Sequence, residues 1–254
     1  MDSTSSVIRF VVIMTAGVAF SLALLSVSWG QQIKDNEAVF NKRAILSAVS
    51  DYLSEDPKLM SDGQIDELFS SKVEQIALDM SGAVLKKEDI VAAGYKGGLP
   101  ENIDMAKEKK KPEDQRIFPL YILNTDKGKS YILSVRGNGL WDEIWGNIAL
   151  KDDLNTIAGA AFDHKGETPG LGAEIKDNPT FPSRFKGKEI FNDAGVYTSV
   201  DVKKTGGTAN NPHAVDGISG ATVTADGVDE MLERGIKYYL PYLNKQAGAK
   251  KTKG

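Results

Sequence analysis

The run from Phe10 to Trp29, FVVIMTAGVAFSLALLSVSW, is about twenty residues long and carries no charge. At about 1.5 Å per helical residue it matches a hydrocarbon core roughly 30 Å thick. Trp29 stands where an interfacial aromatic anchor belongs. A cleaved signal peptide is the competing reading, with Ser26-Val27-Ser28 as its small-residue site. The apolar run exceeds the usual h-region, however, and the basic n-region is Arg9 alone. An uncleaved helix over residues 10–29 is therefore expected, after a short tail over 1–9. Arg9 before the span and Lys34, Lys42 and Arg43 after it lean weakly towards a cytoplasmic C-terminal side. Large domains translocate regardless of such charges, so the count leaves the side open.

The 254 residues are 41% apolar, enough for one or two domains with a core beyond the anchor. A formal net charge of -4 gives no sign of nucleic-acid binding. The lysines at 107 and 109–111, and those around Lys250, Lys251 and Lys253, read as solvated surface or disorder. There is no cysteine, which removes Fe–S clusters, c-type haem and redox disulfides. His164 and His213 are too few for a histidine-rich metal site, so no metal is expected. Any redox chemistry then needs an organic cofactor.

Beyond the span, Phe40, Ala44, Ile45, Val49 and Leu53 fall near helical spacing and predict a helix over 36–53. Ile65, Leu68, Phe69, Val73 and Ile76 predict a second over 63–80, capped by Ser61 or Asp62. Residues 95–115 are polar and read as a loop, which closes a helical and linker region over 30–115. Residues 118–123 and 129–135 then read as strands joined by a hairpin turn at Asn124-Thr-Asp-Lys-Gly128. Further strands are expected at 144–150, 156–162 and 196–202. Val228, Leu232, Ile236, Tyr239 and Leu243 mark a last helix over 224–244, which Pro241 kinks or ends. Helices first and strands later indicate an α+β fold with a mostly antiparallel sheet flanked by helices. The second domain is drawn over 116–245, followed by a basic disordered tail over 246–254.

The stretch richest in chemistry is Asp216-Gly-Ile-Ser-Gly-Ala-Thr-Val-Thr224, a glycine-containing turn that feeds the last helix. The first N–H groups of a helix lack intrahelical partners and sit at the positive end of its dipole, which favours a phosphate. Gly217 and Gly220 permit close approach or positive φ. Ser219, Thr222 and Thr224 supply hydroxyls, with Thr224 a reasonable N-cap. Asp226 puts like charge in the first turn and argues against a tight anion site. On the residues alone, a capping turn without a ligand is the simpler reading.

Asp-Gly-Ile-Ser-Gly-Ala-Thr closely resembles the flavinylation motif of the covalent FMN-binding domain family. The resemblance implies that a Mg2+-dependent flavin transferase moves FMN from FAD onto Thr222 as a phosphoester. It implies that Asp216 is the acid the transferase motif requires, and that Asp216, Gly217, Ser219, Gly220 and Ala221 belong to the cofactor-binding set. Thr224, the next hydroxyl along, becomes a phosphate contact. His164-Lys-Gly-Glu-Thr-Pro-Gly-Leu-Gly-Ala-Glu-Ile175 resembles the Glu-Thr-Pro-Gly-Leu-Gly loop of the same family. That likeness implies a loop in which Glu167, Thr168, Gly170, Leu171 and Gly172 lie against the isoalloxazine. In isolation the same loop is a Pro-Gly turn.

Arg136-Gly-Asn-Gly-Leu-Trp-Asp-Glu-Ile-Trp-Gly-Asn-Ile-Ala-Leu150 looks like the Gly-Leu-Trp signature of the C subunits of the Na+-translocating NADH:quinone reductases. Trp145 stands where that family often has Tyr and joins the cofactor-binding set. Trp141 is as readily core as flavin wall. Family likeness implies a bacterial inner-membrane, single-pass electron carrier whose FMN domain is periplasmic. Its partners would be the A, B, D, E and F subunits, especially B, D and E, besides the membrane and the transferase. Electrons that start on NADH would pass from this FMN to that of the B subunit, coupled to ubiquinone reduction and Na+ export. No catalytic acid or base is implied. The dinucleotide fingerprint is missing, since Gly137-Asn-Gly139 runs into Leu-Trp-Asp. Two alternatives stand beside this: the G-type subunit of the ferredoxin:NAD+ reductase, and a non-redox membrane-anchored binding module.

Overall fold

A computed structural model describes residues 4–204 and 206–251. The chain divides into two compact units, the first ending at Lys42 and the second starting at Arg43. The first belongs to helix α1 (Thr4–Ser47). Large apolar side chains from Val7 to Trp29 stand exposed along it. The helix is long and apolar enough to cross a bilayer. The separate helix expected over 36–53 is corrected here. Gly30 is followed by Gln31, Gln32, Ile33, Lys34 and Asp35, with no proline to break the ladder. Gln31 bonds Asp35 one turn on at 2.9 Å. The helix therefore continues to Ser47, and the chain leaves it through a 3-10 turn at Ser50–Tyr52.

The second unit begins with Arg43, which donates to the carbonyls of Pro57 and Met60 and to the Asp62 carboxylate. This secures the start of α2 (Asp62–Lys72), capped by Ser61 in a capping box with Gln64. The helix expected over 63–80 ends at Lys72, and the same apolar stripe continues as strand β1 (Val73–Asp79). The reason is tertiary. Strand β2 (Ile117–Thr125) offers β1 a full antiparallel partner, from Val73 opposite Leu123 to Asp79 opposite Ile117. Pairing of β-branched Val73 and Ile76 on that edge overrides a helical period. Between the two strands lie α3 (Lys87–Ala92), α4 (Met105–Glu108) and three 3-10 turns, so the stretch 95–115, expected as a loop, carries short helical turns and buries Tyr95, Ile103 and Glu108.

The sheet continues with β3 (Gly128–Asn138), β4 (Glu143–Lys151) and β5 (Ile157–His164). Its order is β1-β2-β3-β4-β5, and every neighbouring pair is antiparallel. The domain boundary drawn at 115/116 is thus corrected, because β1 belongs to the sheet and one unit runs on from Arg43. Two short helices, α5 (Glu174–Asp177) and α6 (Thr180–Ser183), follow. Of the expected strand 196–202 only Asp201 and Val202 are regular; β6 (Asp201–Lys203) pairs in parallel with β7 (Ala214–Asp216).

Helix α7 (Thr222–Lys237) covers one face of the sheet. Its Val228, Met231, Leu232 and Ile236 pack with Leu133, Val135, Ile144 and Ile148 in the main core. On the other face, Phe69 of α2 meets Tyr121 with ring centroids 5.7 Å apart. The last helix breaks after α7 and resumes as α8 (Leu240–Lys251). Pro241 stands at the second position of α8, where its missing N–H costs nothing. Tyr239, between the helices, donates to the carbonyls of Pro119 and Ser134. The tail expected to be disordered from 246 is helical to Lys251, and residues 252–254 lie outside the described residues.

Candidate functional site

Strand β7 ends at Asp216, and the chain turns through 217–221 into α7, whose first residue is Thr222. Gly220 takes φ of 78°, a left-handed conformation in which a side chain is strained. The turn leaves Ser219, Gly220 and Thr222 exposed and buries Ala221. The Thr222 hydroxyl has no hydrogen-bond partner among the described residues. The N–H groups of Thr222, Val223 and Thr224 take no acceptor there either, as expected for a helix start. Asp226, whose charge argued against an anion here, is paired with Lys204 at 3.0 Å.

Thr224 is not the N-cap that the sequence indicates. Ala221 holds that position, with no side-chain cap bond. Thr224 lies inside the first turn, 1% exposed, and its Oγ1 donates to Oε2 of Glu167 at 2.6 Å. Glu167 is itself 4% exposed. Its other oxygen accepts from the N–H of Trp141 at 2.9 Å, and the N–H groups of Leu140 and Asp142 also point to the carboxylate. Burial pushes the Glu167 carboxyl up. The Thr224 hydroxyl and the three N–H groups outweigh it and hold the group below the ordinary glutamate value. One buried carboxylate thus joins three segments: the β3–β4 turn, the 167–172 loop and the start of α7.

Gly172 is required at the centre of this junction. A Cβ there would lie 2.3 Å from Glu167 Oε2 and 2.5 Å from Thr224 Oγ1. Gly170 stands in open space with φ of 74°. Leu171 reaches over the 217–221 turn, its Cδ2 3.0 Å from where a Gly220 Cβ would be. Thr168 is exposed, and its Oγ1 accepts from Trp141 Nε1 at 3.0 Å. The structure therefore brings Glu167, Thr168, Leu171, Gly172, Gly220, Thr222 and Thr224 together.

Trp145 is not brought to this group. Strand alternation sends its neighbours Ile144 and Ile148 towards α7, so Trp145 points to the opposite face. There the Arg136 guanidinium lies 5.0 Å from its ring centroid. Trp145 therefore stands apart from the turn that carries Thr222. The aromatic at the site is Trp141, 69% exposed. Leu140, Leu171 and Val223, one in each of the three segments that Glu167 joins, are also partly exposed and with it make an apolar rim. The Gly-Leu-Trp motif points to this turn, but the sequence puts Trp145 in the cofactor-binding set and leaves Trp141 between core and flavin wall. A polar cofactor tail on the Thr222 hydroxyl and a flat aromatic head on the apolar rim fit the residues present.

Asp216 closes the far side of the turn. Its carboxylate accepts from Thr208 Oγ1 at 2.7 Å and Thr208 N–H at 3.2 Å. The Thr208 hydroxyl, its N–H and the nearby Arg184 charge hold Asp216 below the usual carboxylate range. Gly217 donates its N–H to Lys203 O at 2.8 Å.

Residues 139–237 match the family model of the FMN-binding domain. The C subunit of the Na+-translocating NADH-quinone reductase of Pseudomonas aeruginosa is 36% identical over 192 residues, covering 68% of this chain and 70% of the relative. The Yersinia pestis C subunit is 29% identical over 258 residues, covering 96% and 93%. Among solved structures, the C subunit from Parabacteroides distasonis aligns with a TM-score of 0.68 and 33% identity, over 83% of this chain and 94% of that one. The NqrC of Shewanella oneidensis aligns with a TM-score of 0.65 and 25% identity, over 82% and 99%. The chain belongs to the family of C subunits of the Na+-translocating NADH-quinone reductases, with an FMN-binding domain carried behind one apolar N-terminal helix.

Proposed function

We propose that this chain is a membrane-anchored electron carrier that holds FMN through a phosphoester on Thr222. The observation that carries the reading is the exposed Thr222 hydroxyl, unpartnered among the described residues, at the open N-terminus of α7, with Leu171 reaching over its turn. When bound, FMN supplies the electron-carrying chemistry. The protein supplies attachment, orientation and a local environment. First-turn N–H groups and the positive end of the helix dipole would stabilise the charge of a phosphoester on Thr222. Thr224 is turned away to Glu167, which leaves Thr222 as the threonine of the pair presented to solvent. Attachment joins Thr222 Oγ1 to the FMN phosphorus of FAD. The pyrophosphate P–O bond breaks, AMP leaves, and the hydroxyl proton passes to solvent.

Within the family's complex, the chain receives electrons that began on NADH and passes them to the FMN of the B subunit. The A, D, E and F subunits complete an assembly that couples ubiquinone reduction to Na+ export. Helix α1 is the inner-membrane anchor, and the FMN domain is periplasmic, where an exported transferase meets Thr222. The test is full-length chain made with and without the flavin transferase. Denatured protein should carry covalent flavin fluorescence only with the transferase, and Thr222→Leu should abolish it. Fluorescence that survives Thr222→Leu overturns the attachment.

A further inference from the structure

The acceptor turn is held by a residue far from it in sequence. Arg184, just after α6, sends Nη1 to two consecutive carbonyls of the turn, those of Asp216 and Gly217, each at 2.7 Å. Its guanidinium lies 5.9 Å from the ring centroid of Phe181, which is fully buried. Among the described residues Arg184 has no carboxylate at ion-pair distance. Its charge is spent on neutral carbonyl oxygens, which accept such charge-assisted bonds strongly. On the other side of the strand end, Thr208 binds the Asp216 carboxylate through both its hydroxyl and its N–H. Lys188 in turn fastens the Thr208 segment, donating to the carbonyls of Thr208 and Asn211 at 3.0 and 2.7 Å. The backbone at Asp216 and Gly217 is therefore fixed from two directions, immediately before the residues that carry Thr222.

We propose that Arg184 and Thr208 are positioning residues for covalent flavin attachment, fixing the 216–221 turn so that the Thr222 hydroxyl stands ready for transfer. This rests on the reading of Thr222 as the acceptor. Neither residue touches the reacting atoms. The bond formed is Thr222 Oγ1 to phosphorus, the bond broken is the FAD pyrophosphate, and Arg184 acts only through the two carbonyls. The arrangement also gives Asp216 a task inside this chain. Its carboxylate is turned to Thr208 and joins the 208 segment to the turn. A preorganised acceptor raises the rate of transfer rather than the affinity of the two proteins.

The experiment measures transfer from FAD to full-length apo-protein by purified flavin transferase, read as covalent fluorescence against time and acceptor concentration. Arg184→Met is expected to lower kcat at least about tenfold with KM for the acceptor little changed. Arg184→Lys should recover part of the loss, since one ammonium replaces the donor to the carbonyls. Thr208→Val should lower kcat as Asp216→Asn does, and the double variant should be no slower than the worse single one, because both cut one link. Thermal unfolding is recorded for each variant. Wild-type transfer rates in Arg184→Met, or full effects from Asp216→Asn with none from Thr208→Val, overturn the proposal. So does a loss in Arg184→Met that only follows unfolded protein while Arg184→Lys and Thr208→Val transfer normally. Failure of the wild-type chain to take up flavin overturns the Thr222 reading instead.

Discussion

The hydroxyl of Thr224 donates to the carboxylate of Glu167 at 2.6 Å across 57 positions of sequence, and both groups are buried. This bond ties the loop of Pro169 to the first turn of α7. It also decides which of two neighbouring threonines faces solvent.

Removing that bond should loosen the domain without removing the acceptor. Thr224→Val leaves a buried carboxylate one donor short, at a cost of about 1–3 kcal/mol. Because the folded Glu167 carboxyl sits below its ordinary value of 4.5, its contribution is complete above that value and is lost as pH falls through the folded one. Glu167→Gln should therefore be less stable than wild type at pH 7, with the gap closing below about pH 4. Urea unfolding at stepped pH measures this. A gap that widens in acid contradicts the assignment.

The two glycines of the 167–172 loop should behave differently. Gly172→Ala drives a methyl to within 2.3 Å of Glu167 Oε2, and overpacking of that kind costs about 1–3 kcal/mol or more. Gly170→Ala meets open space and carries only left-handed strain, about 1–2 kcal/mol. Flavin incorporation should fall further in Gly172→Ala than in Gly170→Ala. The reverse order would place the junction elsewhere.

The two tryptophans also separate. Trp141→Ala should keep the flavin on Thr222 but shift its visible spectrum or midpoint potential. Trp145→Phe should leave both unchanged and cost at most about 1 kcal/mol through its contact with Arg136. Absorption and potentiometry on loaded variants decide. A spectral shift confined to Trp145→Phe would reverse the assignment.

Topology is tested by fusions at Gly254. Alkaline phosphatase there should be active, since its disulfides form outside the cytoplasm, and exported green fluorescent protein should be dark. A bright fluorescent fusion with inactive phosphatase would put Thr222 in the cytoplasm.

Much of this was legible in sequence, and each miss has a physical cause. The uncharged run ending at Trp29 and the hairpin around Asp126-Lys127 are local patterns, read from neighbours alone. The strand at Val73–Asp79 was not legible, because Val73 and Ile76 extend the stripe of Ile65, Leu68 and Phe69. Only a partner strand 38 to 50 residues away resolves that ambiguity. At the site, the turn around Thr222 was named by resemblance to a family motif. The direction of Trp145 follows from strand phase, which is set by register with β3. The roles of Thr224, Arg184 and Thr208 lie in bonds to distant segments, and no local spacing encodes them.

The central claim is that Thr222 carries the flavin, and the most direct measurement is peptide mass of protein purified from cells that make the transferase. Fragments should place one FMN-phosphoryl group on Thr222, with Thr224 unmodified. An adduct on Thr224 or Ser219 with Thr222 bare, or fully matured protein with no covalent flavin, would contradict the account.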